Sequence, residues 1–146
     1  MRSSGHQPCA LKITPSSRAD APFRSMSEIV RNREAPKCGS TGVGSSDYVM
    51  SKILEETIGA KIQHVTGYPG SSEIAIAMER GEVGGRGSNL WASWKSTRPQ
   101  WLAEKKIHML VQIALKRDRE LPDVPLMQEL VKSELQKQVM TFISAD

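Results

Sequence analysis

The stretch "KIQHVTGYPGSSEIAIAMERGEV", residues 61–83, decides how this chain is read. Its opening "KIQHVTGY" reads as a strand. Gly70, Ser71 and Ser72 follow as a small-residue loop, and Glu73 stands where a first helical turn favours negative charge. Ile74, Ala75 and Met78 then share one helical face, and Gly81 is a natural C-terminal stop. The same order occurs just upstream. "PKCG" is a very short strand candidate, and "GSTGVGSS" is a second small-residue loop. Val49, Ile53, Leu54, Thr57 and Ile58 then fall at helical spacing, up to a stop at Gly59. Two consecutive strand–loop–helix units imply a mainly parallel sheet with helices packed on it. Ligands of such sheets gather at the carboxyl ends of the strands, the edge to which both loops belong.

Loops this poor in side chains let another group approach the backbone. The first turn of a helix adds unpaired N–H groups and a partial positive charge. The pair is therefore suited to an anion. Gly39 and Gly44 fit the frame of a phosphate-binding loop, but Ser45 and Ser46 stand where that motif needs Lys and then Ser or Thr. Gly42 and Gly44 open a dinucleotide fingerprint, but Asp47 occupies its third glycine position, where an acid repels a pyrophosphate. Two readings stay open for the first loop: a small carboxylate or phosphate held by backbone N–H and hydroxyl groups, or a turn capped by Ser45 or Ser46.

The rest of the chain narrows the function classes. At 146 residues with 38% hydrophobic content it is about one domain with enough apolar side chains for a core. The mean hydropathy is −0.39, and no apolar run is long enough to span a membrane. The net charge of +4 permits acidic partners, but the basic residues are spread along the sequence. Cys9 and Cys38 have no metal-like spacing, and His6, His64 and His108 lie far apart, so no metal or cofactor is expected. Residues 1–21, rich in Ser, Pro and Arg, have neither periodicity nor the apolar centre of a signal peptide, and are expected to be a disordered leader outside the fold.

"FRSMSEIVRNREAP" suggests a short helix capped by Ser25 or Ser27, with Met26, Ile29, Val30 and Arg33 on one face and an end before Pro36. In residues 86–106 Trp91 and Trp94 share a helical face, and Pro99 forces a break before Trp101. These aromatics, interleaved with Arg86, Lys95, Arg98, Lys105 and Lys106, either pack on the sheet or stack on nucleic-acid bases. "KIHMLVQIALK" is a buried strand of about seven residues. After the "LPDVPL" turn, residues 126–146 read as one helix, with Leu126, Leu130 and Val131 on one stripe and Leu135, Val139 and Phe142 on the next. No catalytic constellation is present: Glu55 and Glu56 point apart on their helix.

At "RADAPFRSMSEI", "GSTGVGSSDYVM", "YPGSSEIAIAMERGEV", "RPQWL" and "LPDVPLMQEL" the chain resembles the receptor proteins of tripartite tricarboxylate transporters, the Bug-type periplasmic solute-binding proteins. The resemblance runs from about Arg18 to the C-terminus. It implies a binding protein, not an enzyme, that holds a small carboxylate between two α/β lobes and hands it to membrane subunits. Each lobe is a three-layer α/β/α unit of the type II periplasmic-binding-protein-like fold. Carried over by position, the ligand-binding candidates are Ser40, Thr41, Gly42, Gly44 and Ser45 in the first loop, and Tyr68, Gly70, Ser71 and Ser72 in the second. Family members are longer, so the resemblance makes residues 22–114 one ligand-binding lobe of a truncated chain. Residues 115–146 become a helical segment that returns to the other lobe. It also implies periplasmic action, although no signal peptide is read here and the chain as written is expected in the cytoplasm. Gly84 stands where the family usually has Asp. Two alternatives from other classes are a basic nucleic-acid-binding module using residues 86–106 and a small phosphate-using enzyme. No nucleic-acid partner is expected on the main reading.

Overall fold

A computed structural model describes residues 7–12, 26–31 and 35–143. In chain order they form β1 (Gln7–Lys12), α1 (Met26–Arg31), β2 (Lys37–Gly39), α2 (Ser46–Ile58), β3 (Gln63–Val65) and α3 (Ser71–Arg80). There follow β4 (Gly85–Arg86), α4 (Trp91–Thr97), α5 (Pro99–Ala103), β5 (Ile107–Ile113), a 3-10 turn (Met127–Glu129) and α6 (Glu134–Ile143). The strands make one sheet in the order β3-β2-β4-β1-β5. β2 pairs parallel with β3 and with β4, whereas β1 pairs antiparallel with β4 and with β5. Four strands therefore run one way and β1 alone runs against them.

Local chemistry explains the helices flanking the parallel strands. The Ser45 side chain caps α2 by accepting from Tyr48 N. Gly59 and Gly81 close α2 and α3 in left-handed geometry (φ 72° and 75°), open to glycine without a Cβ penalty. Ile74 and Met78 of α3 are fully buried, worth about 1.5–3 kcal/mol each.

Helices cover both faces of the sheet. One core joins Ile29, Leu54, Met127, Val131 and Met140 to Cys38 of β2 and to Leu110, Val111 and Ile113 of β5. The other joins Ile74, Met78, Trp91, Trp94 and Trp101 to Val83 and to Ile107 of β5, with Met109 packed against it. β5 serves both by strand alternation, and its pairing with β1 shifts by one residue: Cys9 stands opposite Val111 and Ala10 opposite Met109, so Leu110 is a bulge. Ahead of the bulge Ile107 and Met109 face the tryptophans; beyond it Val111 and Ile113 face α2 and α6. Buried Gln112 is satisfied: its Nε2 donates to Leu121 O (2.7 Å) and Val124 O (2.8 Å), and its Oε1 accepts from Asp118 N (2.9 Å).

Three expectations need correction. Residues 7–12 are not outside the fold: β1 is an interior strand, and its place is set by non-local pairing rather than by its own pattern. The other residues of 1–21 lie outside the described set, as do Ser25 and Arg33. Residues 126–146 are not one helix, because a 3-10 turn and a break precede α6. Met127, Val131 and Met140 anchor this segment, while Leu135, Val139 and Phe142 are exposed at 70%, 47% and 79%. Finally, the nucleic-acid reading loses its stacking surface, since Trp91, Trp94 and Trp101 are all core residues.

The 3-10 turn is held by Glu129, whose Oε2 accepts from Arg117 Nη2 (2.6 Å) and from Leu126 N (3.2 Å). The Arg117 hydrogen bond, outweighing burial, holds this carboxyl below the usual glutamate range. Its stabilisation is thus complete above the unfolded pKa and is lost as pH falls through the folded one. Both side chains are about 40% exposed, so solvent screening keeps the effect small. Glu129→Gln is expected to flatten the fall in melting temperature between about pH 5 and pH 3. An acid limb identical to the wild type would show that this pair contributes nothing.

Candidate functional site

β2, β3 and β4 run parallel, so their carboxyl ends, Gly39, Val65 and Arg86, reach one edge. The two small-residue loops leave from the first two of these ends and are joined there. Ser40 N donates to Val65 O (3.0 Å), and Tyr68 N donates to Ser40 O (3.3 Å). The loops then rise into the N-termini of α2 and α3.

The nine sequence-derived candidates take different places at this edge. Ser40 is 2% exposed, and its Oγ has no hydrogen-bond partner among the described residues. Ser45 is already engaged: its Oγ donates to Gly42 O (2.8 Å) while accepting from Tyr48 N (3.4 Å). Thr41 and Gly44 are exposed and Gly42 half-buried. A Cβ at Gly42 or Gly44 would meet nothing, and neither has a positive φ, so the fold itself does not require these two glycines. Half-buried Tyr68 packs against Gly39 and the α3 core. Burial, and next the charge of Glu82, push its hydroxyl pKa up. Gly70 is the N-cap of α3 and offers no side chain to it, and Ser71 and Ser72 are exposed at the first turn. Glu73 folds back toward this end, its Oε2 3.1 Å from where a Gly70 Cβ would stand.

Sequence reasoning missed the ion pair beneath the loops. Asp47, in the first turn of α2, accepts from Arg86 Nε (3.0 Å) and Nη2 (2.8 Å) and from Ser88 N (3.1 Å). Arg86 Nη2 also donates to Ser71 Oγ (3.3 Å). Both partners are buried, so the start of α2, the end of β4 and the start of α3 are tied together without water. The acid that argued against an anion at α2 is thereby neutralised by a bidentate guanidinium. The only sequence signal was an acidic residue in a helix start that the fold buries; its partner lies 39 positions away on a two-residue strand.

Bare loops and the starts of α2 and α3 thus meet at the carboxyl edge of parallel strands. Three solved structures share this fold. A TctC solute-binding protein from Polaromonas, without ligand, matches with a TM-score of 0.63 at 18% identity, covering 96% of this chain and 51% of its own. The R. palustris protein Rpa4515 with adipate matches with a TM-score of 0.63 at 20% identity, covering 96% and 50%. The periplasmic binding protein BugD matches with a TM-score of 0.61 at 14% identity, covering 95% and 50%. The chain thus spans about half the length of these proteins. No curated protein matches it. Residues 10–146 match the family described as tripartite tricarboxylate transporter family receptor, and the chain belongs to that family.

Proposed function

We propose that this chain is the ligand-holding part of a solute-binding receptor that takes a small carboxylate at residues 40–45 and 68–72 and passes it to membrane subunits. It acts by binding, not by turnover, and works in the periplasm. The observation that carries this reading is the pair of joined loops, whose Gly42 and Gly44 leave bare backbone that the fold does not need, beside the uncapped start of α3. Ser40 supplies a buried hydroxyl without a partner among the described residues. The adipate bound to the R. palustris protein is an acid of the expected kind.

The expected strength follows from the parts. A helix N-terminus contributes about 0.3–1 kcal/mol toward an exposed anion. A charge-assisted hydrogen bond adds roughly 1.5–3 kcal/mol. A total near 4 kcal/mol corresponds to a Kd of about 1 mM for this chain alone. Calorimetry with citrate, succinate and adipate measures it.

Ser45→Asp separates binding from folding. Asp caps a helix as well as Ser does, and its charge suits the α2 dipole. The Asp carboxylate cannot replace the Ser45 Oγ donation to Gly42 O, so a small drop in melting temperature is expected, while carboxylate affinity falls at least about tenfold through like-charge repulsion. Unchanged millimolar binding in this variant would show that the loops are not the site.

A further inference from the structure

The candidate loops stand at the start of α2; the end of the same helix borders a second depression. Ile58 there lines a groove of about 340 Å³, together with Ser27, Val30 and Arg31 of α1 and with Leu130 and Lys132, which follow the 3-10 turn. At the rise of an α-helix Ile58 lies about 20 Å from Ser45, so the groove is separate from the loops.

Its floor is apolar and its rim is cationic. Val30, Ile58 and Leu130 are half-buried, packed on the core that joins α1, α2 and the C-terminal segment. Arg31 and Lys132 are exposed, and neither makes an ion pair or hydrogen bond among the described residues. No carboxylate lines the groove. The carbonyl end of α2 is closed by the Gly59 N–H, which donates to Glu55 O and Leu54 O, so it offers little negative charge here. A neutral apolar ligand would leave both cations unpaired, and a small hydrophilic anion would leave the floor wet. A molecule that answers both features has an aliphatic tail and one anionic head. The volume of about 340 Å³ falls at the lower end of small-molecule sites. A protein partner would bury about 800 Å² on each side, far more than a floor of three side chains.

We propose that this groove binds a soluble anionic amphiphile of the free fatty acid type, its tail on Val30, Ile58 and Leu130 and its carboxylate paired with Arg31 and Lys132. The site is independent of the carboxylate reading of the two loops.

The test uses the full chain in ¹H–¹⁵N correlation spectra. The probes are butanoate, hexanoate, octanoate and decanoate, with octanamide as the neutral control and succinate as the marker of the loops. Octanoate is expected to move the amides of residues 27–31, 58 and 130–132. Across the series affinity should rise about fourfold for each methylene that enters the groove, until it is full. Succinate should leave these amides in place. The double variant Arg31→Gln/Lys132→Gln should keep its melting temperature, because both side chains are exposed, and should weaken octanoate about fivefold while leaving octanamide unchanged. Octanoate that moves only residues 40–45 and 68–72, affinity that ignores chain length, or octanamide that binds as tightly as octanoate each overturns the proposal. Groove amides that shift on dilution of the free protein would assign the face to a second copy. Shifts with vesicles of anionic phospholipid but not with octanoate would assign it to a membrane surface. Either result also overturns the proposal.

Discussion

Asp47→Ala is expected to lower stability by about 3–5 kcal/mol, because it leaves the Arg86 guanidinium buried without its counter-charge. Arg86 is 5% exposed, so water cannot replace the carboxylate. Ser88 N loses its acceptor in the same step. Against a total of about 5–15 kcal/mol for a domain, this is a large share. Urea denaturation measures it, and the double variant Asp47→Leu/Arg86→Met gives the contrast. Removing both charges in favour of apolar groups of similar volume should recover most of the loss, as buried pairs commonly allow. A cost below about 1 kcal/mol for Asp47→Ala would mean that Arg86 reaches another partner or solvent, contrary to the geometry. The pair also positions Ser71, so carboxylate binding should weaken in the double variant even where the fold survives.

Gly87→Ala is expected to cost at least about 3 kcal/mol, at the top of the range for overpacking. A Cβ there would land on the carbonyl oxygen of Asp47 and on Ser51 Oγ. The serine could rotate away. The carbonyl belongs to the first turn of α2 and cannot move without disturbing the Ser45 cap. Gly42→Ala and Gly44→Ala meet open space and should stay within about 0.5 kcal/mol of the wild type. Equal effects at all three positions would show that β4 and α2 are less closely apposed than described.

How much of this was legible in the sequence varied with the range of the forces involved. The helices α2 and α3 could be read almost to the residue, because a serine cap, a glycine stop and a 3.6-residue apolar stripe all act locally. β1 could not be. "QPCALK" has no alternation, and it is a strand because β4 and β5 pair with it on either side. β4 is too short to show any period. In the C-terminal segment the apolar stripes suggested one helix, yet Ser133 is a start signal immediately before α6. Its carbonyl accepts from Lys137 N at 2.9 Å. The loops of the candidate site were legible from their small residues. Arg86 and its buried pair with Asp47 were not, since they depend on residues that only the folded sheet brings together.

The position of β1 has a consequence for how the molecule is made. Its partner β5 lies about a hundred residues later in the chain, so the row β3-β2-β4 can assemble from nearby segments during synthesis while the earliest-made strand waits. Until β1 has docked, the inner edge of β4 stays open to any extended peptide, including the same region of a neighbouring nascent chain. By pairing along the whole of β1, β5 holds that strand in place against β4 and so keeps the edge closed.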